Sequence, residues 1–243
     1  MSAAGTDWGA VIAATWPAAE TQQLGPWRIR RGLGGGNRVS AASAHAPVTP
    51  DDLSQAADAM RALQQEVVFS ILPGDPGADE VLANAGYVVR DETIVYACPT
   101  QALLYPAPPP VTAFTVWPPL ALQRRIWAEG GIGPARLAVM DRVTGEKTTI
   151  LGRIDDRPAG TLFVARHGSV AMLHALEIAP DHRRKGLARH LTRAAAAWAQ
   201  GAGAQTFSLL TTVANDGARA LYEGLGMREV GRYHYRVKPQ EPS

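Results

Sequence analysis

Apolar and polar positions along the chain alternate between two spacings, and these set out the elements. Asp7 to Ala19 reads as a helix that ends at or just before Pro17, because proline cannot continue one. Trp27-Arg28-Ile29-Arg30 alternates as a strand does, Gly32 to Gly36 reads as a turn, and Asn37 to Ala44 as the returning strand. Thr49-Pro50-Asp51-Asp52 is a helix start, with a capping hydroxyl, a first-turn proline and carboxylates that suit the helix dipole. That helix is predicted to run to about Gln65. Val67 to Leu72 is then a strand, Asp79 to Ala85 a short helix, and Tyr87 to Ala97 a strand or a bent pair.

Tyr105-Pro106-Ala107-Pro108-Pro109-Pro110 interrupts the pattern, since consecutive prolines fix φ and remove backbone donors. It divides the chain into residues 1–104, a proline-rich linker at 105–111, and residues 112–243. Beyond it, Leu120 to Glu129 is helical, and Thr148 to Ile154 and Gly160 to Ala165 are strands joined at Asp155-Asp156-Arg157-Pro158. Val170 to Ile178 is a strand. Leu187, Leu191, Ala194, Ala195 and Trp198 form one apolar face of a long helix. Thr206 to Thr211, Gly217 to Leu225 and Met227 to Val237 read as strand, helix and strand. The chain is therefore α/β, with a mixed sheet.

Composition narrows the field. The chain has 243 residues, of which 46% are hydrophobic, enough to bury a substantial core across two domains. Its formal net charge is +2, from 24 basic and 22 acidic residues, too balanced for a nucleic-acid or membrane surface. Cys98 is the single cysteine, which excludes an intrachain disulfide and argues against a cysteine metal site. The histidines at 45, 167, 182, 190 and 234 show no metal-ligand spacing, so no metal is expected. Met1 to Glu20 lacks the pattern of a signal peptide, and no apolar run approaches the roughly 20 residues that span a bilayer. A cytoplasmic protein is expected.

The richest segment is Leu176-Glu177-Ile178-Ala179-Pro180-Asp181-His182-Arg183-Arg184-Lys185-Gly186-Leu187-Ala188. A strand ends at Pro180, a basic turn follows, and a long helix begins near Gly186. Helix starts leave backbone N–H groups unpaired and carry the positive end of the dipole, so phosphates bind there. Gly186 and Ala188 let a pyrophosphate approach the backbone, while Arg183, Arg184 and Lys185 add charge. A solvated basic turn is the plain alternative. Neither the Walker spacing nor the dinucleotide Gly-x-Gly-x-x-Gly pattern is present, and the Gly32 to Gly36 run fails both tests as well.

Arg183-x-x-Gly186-x-Ala188 resembles the Arg/Gln-x-x-Gly-x-Gly/Ala signature of the GNAT superfamily of acetyltransferases. Asn215-Asp216-Gly217-Ala218-Arg219-Ala220-Leu221-Tyr222-Glu223-Gly224-Leu225-Gly226-Met227 resembles its second motif, with Met227 where phenylalanine is usual. The two motifs, in order, cover roughly Thr112 to Lys238. The resemblance implies that Arg183 to Ala188 cradle the diphosphate of acetyl-CoA, that Leu176 and Ile178 lie on a strand pairing with its pantetheine arm, and that Asn215 contacts it. It also implies that Tyr222 gives a proton to the CoA sulfur. A packed core tyrosine and a helix cap are the plain readings of Tyr222 and Asn215.

For the base that deprotonates an amine acceptor, the face that the family uses falls near Met172, which cannot serve. Strand alternation puts His174 on that face with Leu176, and Glu177 on the other with Ala175. His174 is the first candidate for its near-neutral titration, Glu177 the second, and ordered water the third. The first half also resembles the closing part of a GNAT domain at Phe69-Ser70-Ile71-Leu72, Asp79 to Ala85 and Gly86-Tyr87. Two tandem GNAT-like halves are expected, the first degenerate and walling the acceptor cleft; an unrelated accessory α/β module is the alternative. The activity implied is acetyl transfer to a primary amine. An acyl-CoA sensor without catalysis and a phosphate-dependent nucleic-acid binder are its rivals.

Overall fold

The computed structural model describes residues 5–75 and 77–239. Before the proline segment come α1 (Trp8–Thr15), β1 (Glu20–Leu24), β2 (Trp27–Arg31), α2 (Asn37–Ser40) and β3 (Ser43–Ala44). They are followed by α3 (Pro50–Ala62), β4 (Val68–Ile71), α4 (Ala78–Asn84) and β5 (Val88–Pro99). After it come β6 (Ala113–Val116), α5 (Ala121–Glu129), α6 (Pro134–Arg142), β7 (Lys147–Ile154) and β8 (Arg157–His167). The chain closes with β9 (Val170–Ile178), α7 (Leu187–Gly201), β10 (Thr206–Thr212), α8 (Asp216–Glu223) and β11 (Arg228–Val237).

One expected strand is different. Asn37 to Ala44 opens as the helical turn α2, because Gly36 at φ +92° turns the chain and Ser40 Oγ bonds back to Gly36 O at 3.1 Å. Three elements carried no apolar signal strong enough to find. Glu20–Leu24, polar and exposed up to Leu24, pairs with β2; β6 pairs with β7; and α6 starts on proline directly after Gly133.

The described residues form two sheets. The small one runs β1-β2-β3; the large one has eight strands in the order β4-β11-β5-β10-β9-β8-β7-β6. The large sheet crosses the proline segment: β5 lies between β10 and β11, and β11 lies between β4 and β5. Strand–helix–strand units β4-α4-β5 and β10-α8-β11 thus interleave, and the run β4-β11-β5-β10 reads alike from either end if the halves are exchanged.

The named strands all pair antiparallel except β9 with β10, which run parallel from Thr206↔Val170 to Leu209↔Leu173. On one side of the sheet α7 buries Leu187, Leu191, Ala195 and Ala199 against Ile150, Leu162 and Phe207. On the other side α1 packs Trp8, Val11 and Ile12 against Val95, Met172 and Tyr235. This second cluster draws on both halves and sets the end of α1 beside the middle of β9.

Candidate active site

The pairing of β9 with β10 stops at Leu173, although β9 continues to Ile178 and β10 to Thr212. The strands diverge there, and a cleft of about 790 Å³ opens between them. On its other edge β9 stays paired with β8, but with a register shift between Thr161 and Phe163. The shift is a bulge at Ala175, whose φ is +51° and whose carbonyl accepts from Trp127 Nε1 at 2.7 Å.

The bulge changes which side chains share a face. Simple alternation puts His174 with Leu176; the extra residue reverses this. Leu176 and Ile178 join Leu173 in the core under α7. His174 turns to the α1 side against Trp16 and Phe163, and Ala175 packs with them. Glu177 lies over Gly130 at the end of α5, where a Cβ atom would come within 2.5 Å of its carboxyl carbon.

A 3₁₀ turn at Pro180–His182 follows β9, and the chain then enters α7 through Arg184 at φ +63° and Gly186 at φ +84°. No side chain caps α7, and its first turn has no acidic residue. The backbone N–H groups of Arg184, Lys185, Gly186, Leu187 and Ala188 have no hydrogen-bond partner among the described residues. Arg189 and His190 are the first to bond back, both to Gly186 O. A row of free donors therefore sits at the positive end of a 15-residue helix.

Arg183, Arg184, Gly186, Leu187 and Ala188 line the cleft, whereas Lys185 is exposed outside it. Arg183 is partly spent on the cleft wall: its Nε donates to Ile178 O and its Nη2 to Glu177 Oε1, both at 3.0 Å. Asn215 lines the far side and caps α8, its Oδ1 accepting from Ala218 N at 3.1 Å. Tyr222, on α8, reaches the same cleft. Burial pushes its phenol up to about 12, and its hydroxyl has no hydrogen-bond partner among the described residues.

His174 is a correction to the expected base. It is buried, and both ring nitrogens are occupied: Arg38 Nη1 lies 3.1 Å from Nδ1, and Thr15 Oγ1 lies 2.9 Å from Nε2. An arginine can only donate, so Nδ1 is the acceptor and Nε2 carries the hydrogen. Thr15 accepts that hydrogen and gives its own to Val11 O at 2.8 Å. Burial, and then the Arg38 charge, push the imidazole well below its ordinary value. No lone pair remains to take a proton. Glu177 is the carboxylate on the cleft wall, with its side chain 17% exposed and aimed by Arg183.

Residues 115–227 match the Acetyltransferase (GNAT) family. The chain carries a GNAT acetyltransferase domain. An uncharacterized N-acetyltransferase of Bacillus subtilis, YobR, is 24% identical over 245 residues, spanning 94% of this chain and 96% of that protein. Among solved structures, a GCN5-related N-acetyltransferase from Kribbella flavida superposes with a TM-score of 0.71 at 19% identity, covering 98% of each chain. A tandem GNAT protein from the clavulanic acid biosynthesis pathway gives 0.62 at 13% identity, over 100% of this chain and 90% of its own.

The GNAT family uses acetyl-CoA, whose diphosphate asks for donors without competing acids. The free amides from Arg184 to Ala188 meet that demand, and nothing lies within 4 Å of the point where a Cβ on Gly186 would stand. The GNAT domain also borrows from outside the matched segment. Thr15, Trp16 and Arg38, which surround His174, come from the first half and bear no motif; only the position of His174 on β9 pointed toward them. A larger cavity, about 950 Å³, lies at the opposite end of β9 and β10 beside Cys98 and Gln205. Burial pushes the Cys98 thiol up to about 11, which keeps it protonated near neutral pH.

Proposed function

We propose that this protein transfers the acetyl group of acetyl-CoA to a primary amine by direct attack within a ternary complex. The observation that carries this reading is the convergence on one cleft of the open α7 start, the unpaired edge of β9 and Tyr222. The diphosphate rests on the amides of residues 184–188, with Arg184 beside it. Leu176 and Ile178 present the backbone edge along which the pantetheine arm extends. Asn215 shapes the opposite wall while capping α8.

The C–S bond breaks as a C–N bond forms. The amine's surplus proton passes to the Glu177 carboxylate, directly or through water. Tyr222 donates to the departing sulfur and recovers its proton from solvent. Its raised pKa keeps the phenol protonated until the sulfur gains charge. His174 serves instead as a neutral post that ties β9 to α1 and holds Arg38 in place.

The first half, on this reading, is a GNAT-like remnant without its own donor site that walls the acceptor side of the cleft. The reciprocal insertion of β5 and β11 favours that origin. The location consistent with this chemistry is the cytoplasm, and among the described residues no helix is long and apolar enough to cross a membrane.

Thiol release from acetyl-CoA, followed across a library of amines, tests the proposal. Turnover is expected, with kcat about 100-fold lower in Tyr222→Phe and in Glu177→Gln. Tight CoA binding without thiol release from any amine would make the chain a sensor instead.

A further inference from the structure

A second cavity, about 110 Å³, lies between α1, β2 and β11. Its walls are apolar at Ile12, Ala13, Trp16 and Leu72, while Arg30, Arg38, Tyr233 and Tyr235 bring polar atoms. Among the described residues no carboxylate lines it. Arg38 lines the donor cleft as well, so the two cavities meet at its side chain.

The two arginines differ from those that the chain pairs with acids. Arg31, Arg90, Arg183 and Arg236 each hold a carboxylate within 3.0 Å. Neither Arg30 nor Arg38 forms an ion pair among the described residues. Arg30 bonds to neutral oxygens, Ala41 O at 2.7 Å and Ser43 Oγ at 2.9 Å. Burial, and then the neighbouring Arg28 charge, push its guanidinium down to about 10.

Arg38 donates to the neutral His174, stacks 5.8 Å over Trp16, and leaves its buried Nε without a partner. Partly buried cations without a counter-anion cost the fold free energy, because some of their charge is kept from water and not compensated. A ligand anion removes that cost, and a planar carboxylate matches the guanidinium fork.

We propose that this cavity holds the carboxylate end of the acceptor, so that the substrate is a small amino acid with an apolar side chain. The proposal rests on the amine-acetylation reading and adds the substrate class to it. The carboxylate sits between Arg38 and Arg30, the side chain fills the apolar wall beside Trp16 and Leu72, and the amine faces the donor cleft across Arg38. Tyr233 and Tyr235, packed edge to face at 5.6 Å, close the floor from β11. His174 acts as a positioning residue, since its Nδ1 fixes the Arg38 fork without supplying charge.

The test is calorimetric. Full-length protein saturated with CoA is titrated with the N-acetyl derivatives of glycine, leucine, methionine and phenylalanine, and with the corresponding N-acetyl amides. At least one acid is expected to bind about 30-fold or more tightly than its amide, the scale of a charge-assisted pair. Arg38→Gln is expected to erase that preference. Arg30→Gln, which leaves the His174 contact intact, is expected to reduce it, with CoA affinity serving as the check on folding.

If no acid outbinds its amide, the carboxylate site is refuted. Acetylation of amines lacking a carboxylate, with no preference for amino acids, refutes it too but leaves acetyl transfer standing. Selective binding of acids without thiol release from acetyl-CoA and any free amino acid supports the carboxylate site and refutes the transfer reading.

Discussion

The helices α3 and α7 each follow strand-rich sequence in their own half, yet they begin in opposite ways. Thr49 and Asp52 close α3 with a reciprocal capping box, the Asp52 carboxylate accepting from Thr49 N at 2.8 Å and from Thr49 Oγ1 at 2.6 Å. That bonding lowers the Asp52 pKa, led by the Thr49 hydroxyl. Asp51 stands beside it, so the dipole's positive end already faces two carboxylates. At α7 a left-handed glycine replaces the cap, no acid is present in the first turn, and the amides stay open. A helix start binds an external anion only where the chain has not supplied its own. The contrast leaves an open helix start in one half and a self-capped one in the other.

Giving α7 the kind of start that α3 has breaks this contrast most visibly. Gly186→Asp places a carboxylate at the open amides where the proposed diphosphate rests, and aspartate tolerates a positive φ better than most residues do. CoA affinity measured by calorimetry is expected to fall about 100-fold, the loss of one or two charge-assisted bonds. Retained affinity would separate the diphosphate from this turn.

A smaller effect sharpens what the first half contributes. His174 is neutral and sequestered by Thr15 and Arg38, with its pKa lowered well below 6.5 by burial first and the Arg38 charge second. The unfolded chain therefore binds a proton that the folded chain refuses. The stability that this histidine confers is present above the unfolded value and is lost as pH falls below about 6.5, by up to about 1.4 kcal/mol per pH unit. Denaturant titrations across pH 5 to 8 are expected to show this slope and to show it reduced in His174→Gln. An unchanged slope in the variant would mean another group is responsible.

The smallest effect lies at α3. Thr49→Ala removes half of the capping box and is expected to cost about 1 kcal/mol of stability in the same titrations. CoA affinity is expected to stay unchanged, since no residue of α3 lines the cleft between β9 and β10.

Much of this was legible in the chain. Val170–Ile178 and the long helix after Gly186 follow from apolar spacing, and the open start of that helix follows from a basic, glycine-bearing turn between them. The interleaving of β5 and β11 was not legible, because alternation tells which face of a strand is buried but not which strand lies beside it. The Ala175 bulge was equally hidden, since alanine carries no preference for a positive φ; one inserted residue then moved His174 away from Leu176 and onto the face of Glu177. Arg38 escaped notice because its meaning depends on two partners, Thr15 by way of His174 and Trp16, that come together only in the folded chain.

The most direct measurement is a titration of the ¹⁵N-labelled protein with CoA, followed through backbone amide resonances. The amides of residues 184–188 are expected to shift on CoA addition, while those of residues 51–53 at the start of α3 stay in place. Pantetheine, which has no diphosphate, is expected to leave both sets unmoved. Amides at 184–188 that ignore CoA, or that answer pantetheine equally, would contradict a diphosphate cradle at the start of α7.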